Sequence, residues 1–108
     1  MRNELRKKWA AKELELSDLL AFVNSEATEE DNLDGDERKQ IAEKLYSIYI
    51  WDAKGASINE FLVSLLKDKF SLFMTNARYV DRKAARIYHD FIWQTAPPRV
   101  LTNAKQLR

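Results

Sequence analysis

Hydrophobic side chains recur every three to four positions over most of this chain, which is the spacing of one face of an α-helix. Four segments carry the pattern, and they cover residues 3–24, 37–53, 57–74 and 81–96. The third segment opens with Ser57-Ile58-Asn59-Glu60, a capping box that favours the start of a helix. We therefore predict an all-α fold, a single compact bundle of about four helices.

The second segment, from Glu37 to Ala53, is apolar on nearly all sides of a helix. Its part from Leu45 to Trp51 also has strand propensity, so a strand is the alternative. We interpret the segment as a helix because it is long and because helix-favouring residues lead into it. A helix that is apolar nearly all round packs against partners on two sides.

Residues at both ends of the last segment indicate where its helix starts and where it stops. Asp81 is placed to cap its N-terminus. Pro97 and Pro98 end it, because proline lacks an amide donor and its ring clashes with the preceding turn.

Few residues interrupt the helical pattern, since the chain has two glycines and two prolines among its 108 residues. Such a composition is typical of helices joined by few turns. We predict one helical domain over residues 1–108, with an acidic loop over residues 26–37 and a polar tail over residues 97–108. This length allows one domain rather than two.

The chain contains no apolar run long enough to span a bilayer. The charged segment Met1–Lys8 is not followed by the apolar stretch of a signal peptide. These two features predict a cytoplasmic protein without a membrane partner.

The formal net charge of +1 conceals a segregation of charge along the chain. Residues 13–37 carry ten carboxylates and no basic side chain. An EF-hand calcium loop with Gly35 at its sixth position would place Ile41 where the bidentate glutamate is required, so we predict no metal site. The acidic segment is then a partner site, a mimic of nucleic acid or a solvated face.

The C-terminal third contains basic side chains at helical spacing. Arg78, Arg82 and Arg86 recur every four residues and share one side of a helix, with Lys83 beside them. Such a row could follow a phosphate backbone, which makes a nucleic-acid-binding regulator the alternative function. The same side chains can instead pair with the ten carboxylates of residues 13–37, form an ordinary solvated face or meet an acidic protein partner.

The aromatic content of 11% is high for a core of this size. We expect part of it to lie at the surface and single out Tyr49, Trp51 and Trp93 as anchors for a protein partner. The alternative is that the second helix is central and buries its own aromatic side chains.

Nothing in the sequence favours catalysis. His89 is the only histidine, and its neighbour Asp90 would point about 100° away around a helix, so it could not orient the ring. The chain has no cysteine, and its two glycines are too few for a phosphate-binding loop. We expect neither an enzyme nor a cofactor. The sequence favours a small accessory module that binds a partner protein or a second copy of itself.

Overall fold

The structure, a computed structural model, describes residues 2–54 and 79–97. These residues form four α-helices and one short 3₁₀ turn, and they contain no β-strand. The elements in chain order are α1 (Arg2–Ala11), α2 (Leu16–Glu26), the 3₁₀ turn (Glu29–Asp31), α3 (Gly35–Ala53) and α4 (Tyr79–Thr95). The prediction of an all-α fold is confirmed.

The first predicted helix is wrong as a single element, because residues 3–24 form α1 and α2 with a tight turn between them. The turn begins at Lys12, whose φ of 61° is left-handed. The Lys12 amide donates to the Trp9 carbonyl at 3.0 Å and the Glu13 amide donates to the Lys8 carbonyl at 2.8 Å. This pair of hydrogen bonds ends a helix in the Schellman manner, normally with glycine at the left-handed position.

The prediction of a loop over residues 26–37 is wrong in part, because several residues of this segment are helical. The segment contains the end of α2, the 3₁₀ turn and the first residues of α3. The helix α3 begins with a reciprocal cap, in which the Asp34 side chain accepts from the Glu37 amide at 2.8 Å and the Glu37 side chain accepts from the Asp34 amide at 3.0 Å. The helical interpretation of residues 37–53 is confirmed over the strand alternative.

The helix α4 begins before Asp81, so Asp81 is not its cap. Its carboxylate lies in the first turn, is buried, and accepts a hydrogen bond from the Tyr88 hydroxyl at 2.6 Å. The helix ends at Thr95, two residues before Pro97, as the proline predicts. The predicted helix over residues 57–74 with its capping box, and residues 98–108, lie outside the described residues.

Trp9 is the largest fully buried side chain in the described part of the chain. Its side chain is 1% exposed, its ring stacks on Phe91 of α4 at 5.4 Å between centroids, and it meets the edge of Tyr49 of α3 at 5.8 Å. The indole Nε1 donates to Asp52 Oδ2 at 2.7 Å, so its polar atom is satisfied. One side chain of α1 thereby joins α3 and α4, while α2 packs on α3. No helix in the described part of the chain is long and apolar enough to cross a membrane.

The burial of Trp9 predicts a large loss of stability for Trp9→Ala. Removing a buried tryptophan costs about 3–5 kcal/mol of unfolding free energy, because contacts are lost and a cavity remains. The matched control is Trp93→Ala, whose side chain is 37% exposed, and we expect it to cost less than about 1 kcal/mol. Urea denaturation followed by circular dichroism measures both values. Equal losses from the two tryptophans would contradict the assignment of Trp9 as the core residue.

Candidate functional site

The helix α4 has one buried and one outward face. The buried face packs into the core, and residues from Ala84 to Thr95 on that face are almost fully covered. We define the outer face of α4 by the side chains on the opposite side, which are at least partly exposed. Its members are Tyr79, Arg82, Lys83, Arg86, His89, Asp90 and Trp93.

Two large aromatic side chains lie on this outer face. Tyr79 is 68% exposed and Trp93 is 37% exposed. Fourteen positions separate them, which in an α-helix is about 21 Å along the axis and about 40° around it. The Lys83 ammonium lies over the Tyr79 ring at 5.1 Å from its centroid, and the His89 ring lies 5.9 Å from Trp93. Both aromatic rings therefore sit beside a nitrogen-bearing side chain of the same helix.

Arg86 lies midway between these aromatic rings and is the hub of an ion-pair network. Its guanidinium donates to Asp31 Oδ2 at 2.9 Å, to the carbonyl oxygen of Glu26 at 3.1 Å and to Asp90 Oδ2 at 3.3 Å. Glu26 in turn pairs with Arg2 at 2.6 Å. These contacts connect α4 to the end of α2, to the 3₁₀ turn and to the start of α1.

Lys83 is fixed in a similar way. Its ammonium pairs with the Glu37 carboxylate at 2.9 Å, and both side chains are mostly covered. The amide of Asp34, and after it the Lys83 ammonium, hold the pKa of Glu37 below its usual value. Hydrogen bonds from Thr28 and then from Arg86 likewise hold the pKa of Asp31 below its usual value. The acidic segment thus neutralises part of the basic row within the domain.

The described residues of the predicted basic row lie together on α4. Arg82, Lys83 and Arg86 are all on the outer face of α4, as the four-residue spacing indicates. Lys83 and Arg86 are engaged with carboxylates of α3 and the 3₁₀ turn. Arg78 lies outside the described residues.

The three predicted aromatic anchors do not form one patch. Tyr49 is 3% exposed and packs against Trp9 and Tyr46, so it is a core residue rather than an exposed anchor. Trp51 is partly buried against the core on α3. Trp93 alone among the three is among the exposed large hydrophobic side chains.

Tyr79 is the residue that the sequence reasoning missed. It lies seven positions before Arg86, and Trp93 lies seven positions after it. Residues seven apart share one side of a helix, so this spacing was available as a signal.

Other features of the described residues are weaker candidates for a functional site. His89 Nδ1 and Asp90 Oδ1 are 3.9 Å apart, which is too long for a hydrogen bond. Within residues 2–54 and 79–97 no group of three metal-binding side chains is close enough to hold an ion. An open depression of about 660 Å³ is lined by Phe22 and by the paired charges Arg2 and Glu26, among others.

No known protein family matches this chain, and no curated protein or solved structure matches it. We therefore infer function from the chemistry of the outer face of α4 and of the side chains that support it.

The lowered pKa of Glu37 predicts a loss of stability in acid. A carboxyl group whose pKa is lower when folded stabilises the fold above its ordinary pKa of 4.5 and loses that contribution as pH falls through the folded value. We expect Glu37→Gln to flatten the decline in unfolding free energy between about pH 5 and pH 3. Denaturant titrations at each pH measure this slope.

The control for this experiment is Glu43→Gln, because Glu43 is an exposed carboxylate of the same helix. The unfolding free energy of this variant should decline between about pH 5 and pH 3 as steeply as that of the unaltered protein. If both variants flatten the decline equally, the contacts of Glu37 with the Asp34 amide and with Lys83 are not the source of the effect.

Proposed function

We propose that this chain is a small, non-enzymatic binding module that associates with protein through the outer face of α4. The observation that supports it most is the presence of Tyr79 and Trp93, both exposed, on one side of a helix whose other side is buried. A cytoplasmic location belongs to the same proposal and stays a prediction of the sequence.

The residue types of this surface support association with protein. Tryptophan, tyrosine and arginine are the side chains most enriched among residues that dominate binding energy. Tyr79 and Trp93 offer apolar area that a partner can cover, and Arg82 and Arg86 lie between them along the helix. A buried aromatic anchor with polar side chains around it is the usual composition of such an interface.

The support beneath this surface also favours binding. The inner face of α4 is packed into the core, so the helix is held as a rigid element. Arg86 and Lys83 are already fixed by carboxylates in the unbound protein. Side chains that are ordered before binding lose less conformational entropy when a partner arrives, which raises affinity.

Nucleic-acid binding, the alternative from the sequence, has less support. Phosphate binding depends on basic side chains that release counterions. The carboxylates of Asp31, Asp90 and Glu37 already contact Arg86 and Lys83, and they would repel a phosphate at the same place. No observation of the described residues favours this function over association with protein.

The proposal predicts that Trp93→Ala and Tyr79→Ala weaken protein association without unfolding the domain. Loss of an aromatic hot-spot residue should reduce affinity at least about tenfold, which corresponds to about 1.4 kcal/mol. The measurement is quantitative capture, in which tagged variants are exposed to an extract of the producing cells and the bound proteins, including untagged copies of the chain, are compared.

Leu16→Ala is the matched control, because Leu16 is 38% exposed and belongs to α2 rather than to the outer face of α4. It should retain what the unaltered protein captures. The proposal fails if all three variants capture the same proteins in the same amounts while their thermal unfolding is unchanged.

A further inference from the structure

We infer that the protein bound by the outer face of α4 is a second copy of this chain, in an antiparallel α4–α4 contact centred on Arg86. The inference rests on the proposed function and specifies its partner. It follows from the symmetric arrangement of side chains on α4, which only a two-fold contact would use in full.

The side chains of the outer face are arranged in complementary pairs about Arg86. Tyr79 and Trp93 lie seven positions before and after it, and Arg82 and Asp90 lie four positions before and after it. In a two-fold contact the same patch serves both copies, and each residue meets the one at equal distance on the other side of the axis. Tyr79 then faces the partner's Trp93, and Arg82 faces the partner's Asp90.

Both of these contacts are favourable. Two aromatic side chains bury apolar area against each other and gain further attraction from the contact between their rings. Arg82 and Asp90 carry opposite charges, so their approach is attractive. Because of the two-fold axis, each contact occurs twice in one dimer.

The axis itself brings Arg86 opposite the partner's Arg86, which would repel if the two guanidinium groups were uncompensated. Each Arg86, however, contacts the Asp31 and Asp90 carboxylates of its own chain at 2.9 and 3.3 Å. The ion-pair network therefore neutralises this position of the contact. This assigns the acidic 3₁₀ turn a role in association as well as in the fold. By the same symmetry Lys83 approaches the partner's His89, and the Lys83 charge is compensated by Glu37 of its own chain at 2.9 Å.

A parallel arrangement of the two helices is disfavoured by the same residues. It would place Arg82 against the partner's Arg82 and Asp90 against the partner's Asp90. Juxtaposed like charges suppress such a pairing. The antiparallel direction is the one in which the charges alternate.

The size of the surface sets the expected strength. A stripe about 21 Å long on one helix covers less than the roughly 1,200–2,000 Å² of a standard stable interface. We therefore expect a reversible dimer with a dissociation constant of tens to hundreds of micromolar, which corresponds to about −5 to −6 kcal/mol.

Sedimentation equilibrium of the purified chain, from about 10 µM to about 1 mM, tests this inference. The unaltered protein should shift from monomer to dimer over this range. Arg82→Glu places two acids opposite each other in the contact, and Asp90→Arg places two bases opposite each other, so each variant alone should remain monomeric. An equimolar mixture of the two variants restores both attractive pairs and should dimerise more strongly than either variant alone.

The matched controls are Lys39→Glu and Glu43→Arg, which make the same charge changes at exposed positions of α3. Each should dimerise like the unaltered protein. Circular dichroism melting curves establish that every variant is folded. If a variant is unfolded, the concentration series of the unaltered protein still decides the question.

An unaltered protein that is monomeric at about 1 mM overturns the inference, and so does a mixture that fails to dimerise when both single variants are folded. The proposed function is judged separately by the capture experiment. If Trp93→Ala loses a different protein there while the chain is monomeric, association through α4 stands and only the second copy is wrong.

Discussion

The stacking of Trp9 on Phe91 is the contact on which the described fold depends. The buried indole occupies the space between α1, α3 and α4, and its Nε1 donates to Asp52, so neither its apolar area nor its polar atom is left unsatisfied. This contact fixes which face of α4 is turned inward. Because residues on a helix keep fixed angular positions, the same contact fixes which side chains of α4 remain outside.

The second constraint is electrostatic and acts at the edge of α4. Carboxylates that are distant in sequence, Asp31 and Glu37, meet Arg86 and Lys83. Exposed ion pairs contribute little stability singly, at most about 1 kcal/mol. Their larger effect here is positional, since they order two long side chains on the outer face of α4 and cancel charge that would otherwise repel a second positively charged surface.

Hydrophobic spacing carried enough information to predict the helical class and most of the extent of α3, and Pro97 predicted that α4 ends shortly before it. It did not reveal the break after α1, because the left-handed residue there is Lys12 and nothing about a lysine marks that conformation. The sequence allowed internal pairing of the basic row but could not identify the individual partners. Arg86 and Asp31 are distant in sequence and meet only through the packing of helices. Tyr49 was misread as an anchor because α3 is apolar nearly all round, so its pattern does not distinguish an inner from an outer side.

The segregated charges and the exposed aromatic rings are connected through one residue. If the acidic segment were only a solvated face, Arg86 would have no reason to contact Glu26 and Asp31 of that segment. With those contacts, the centre of the outer face is close to neutral, and the aromatic rings at its two ends contribute the apolar area. In the association that we propose, affinity comes from burying Tyr79 and Trp93, while the outlying charges Arg82 and Asp90 select the direction in which the partner helix lies.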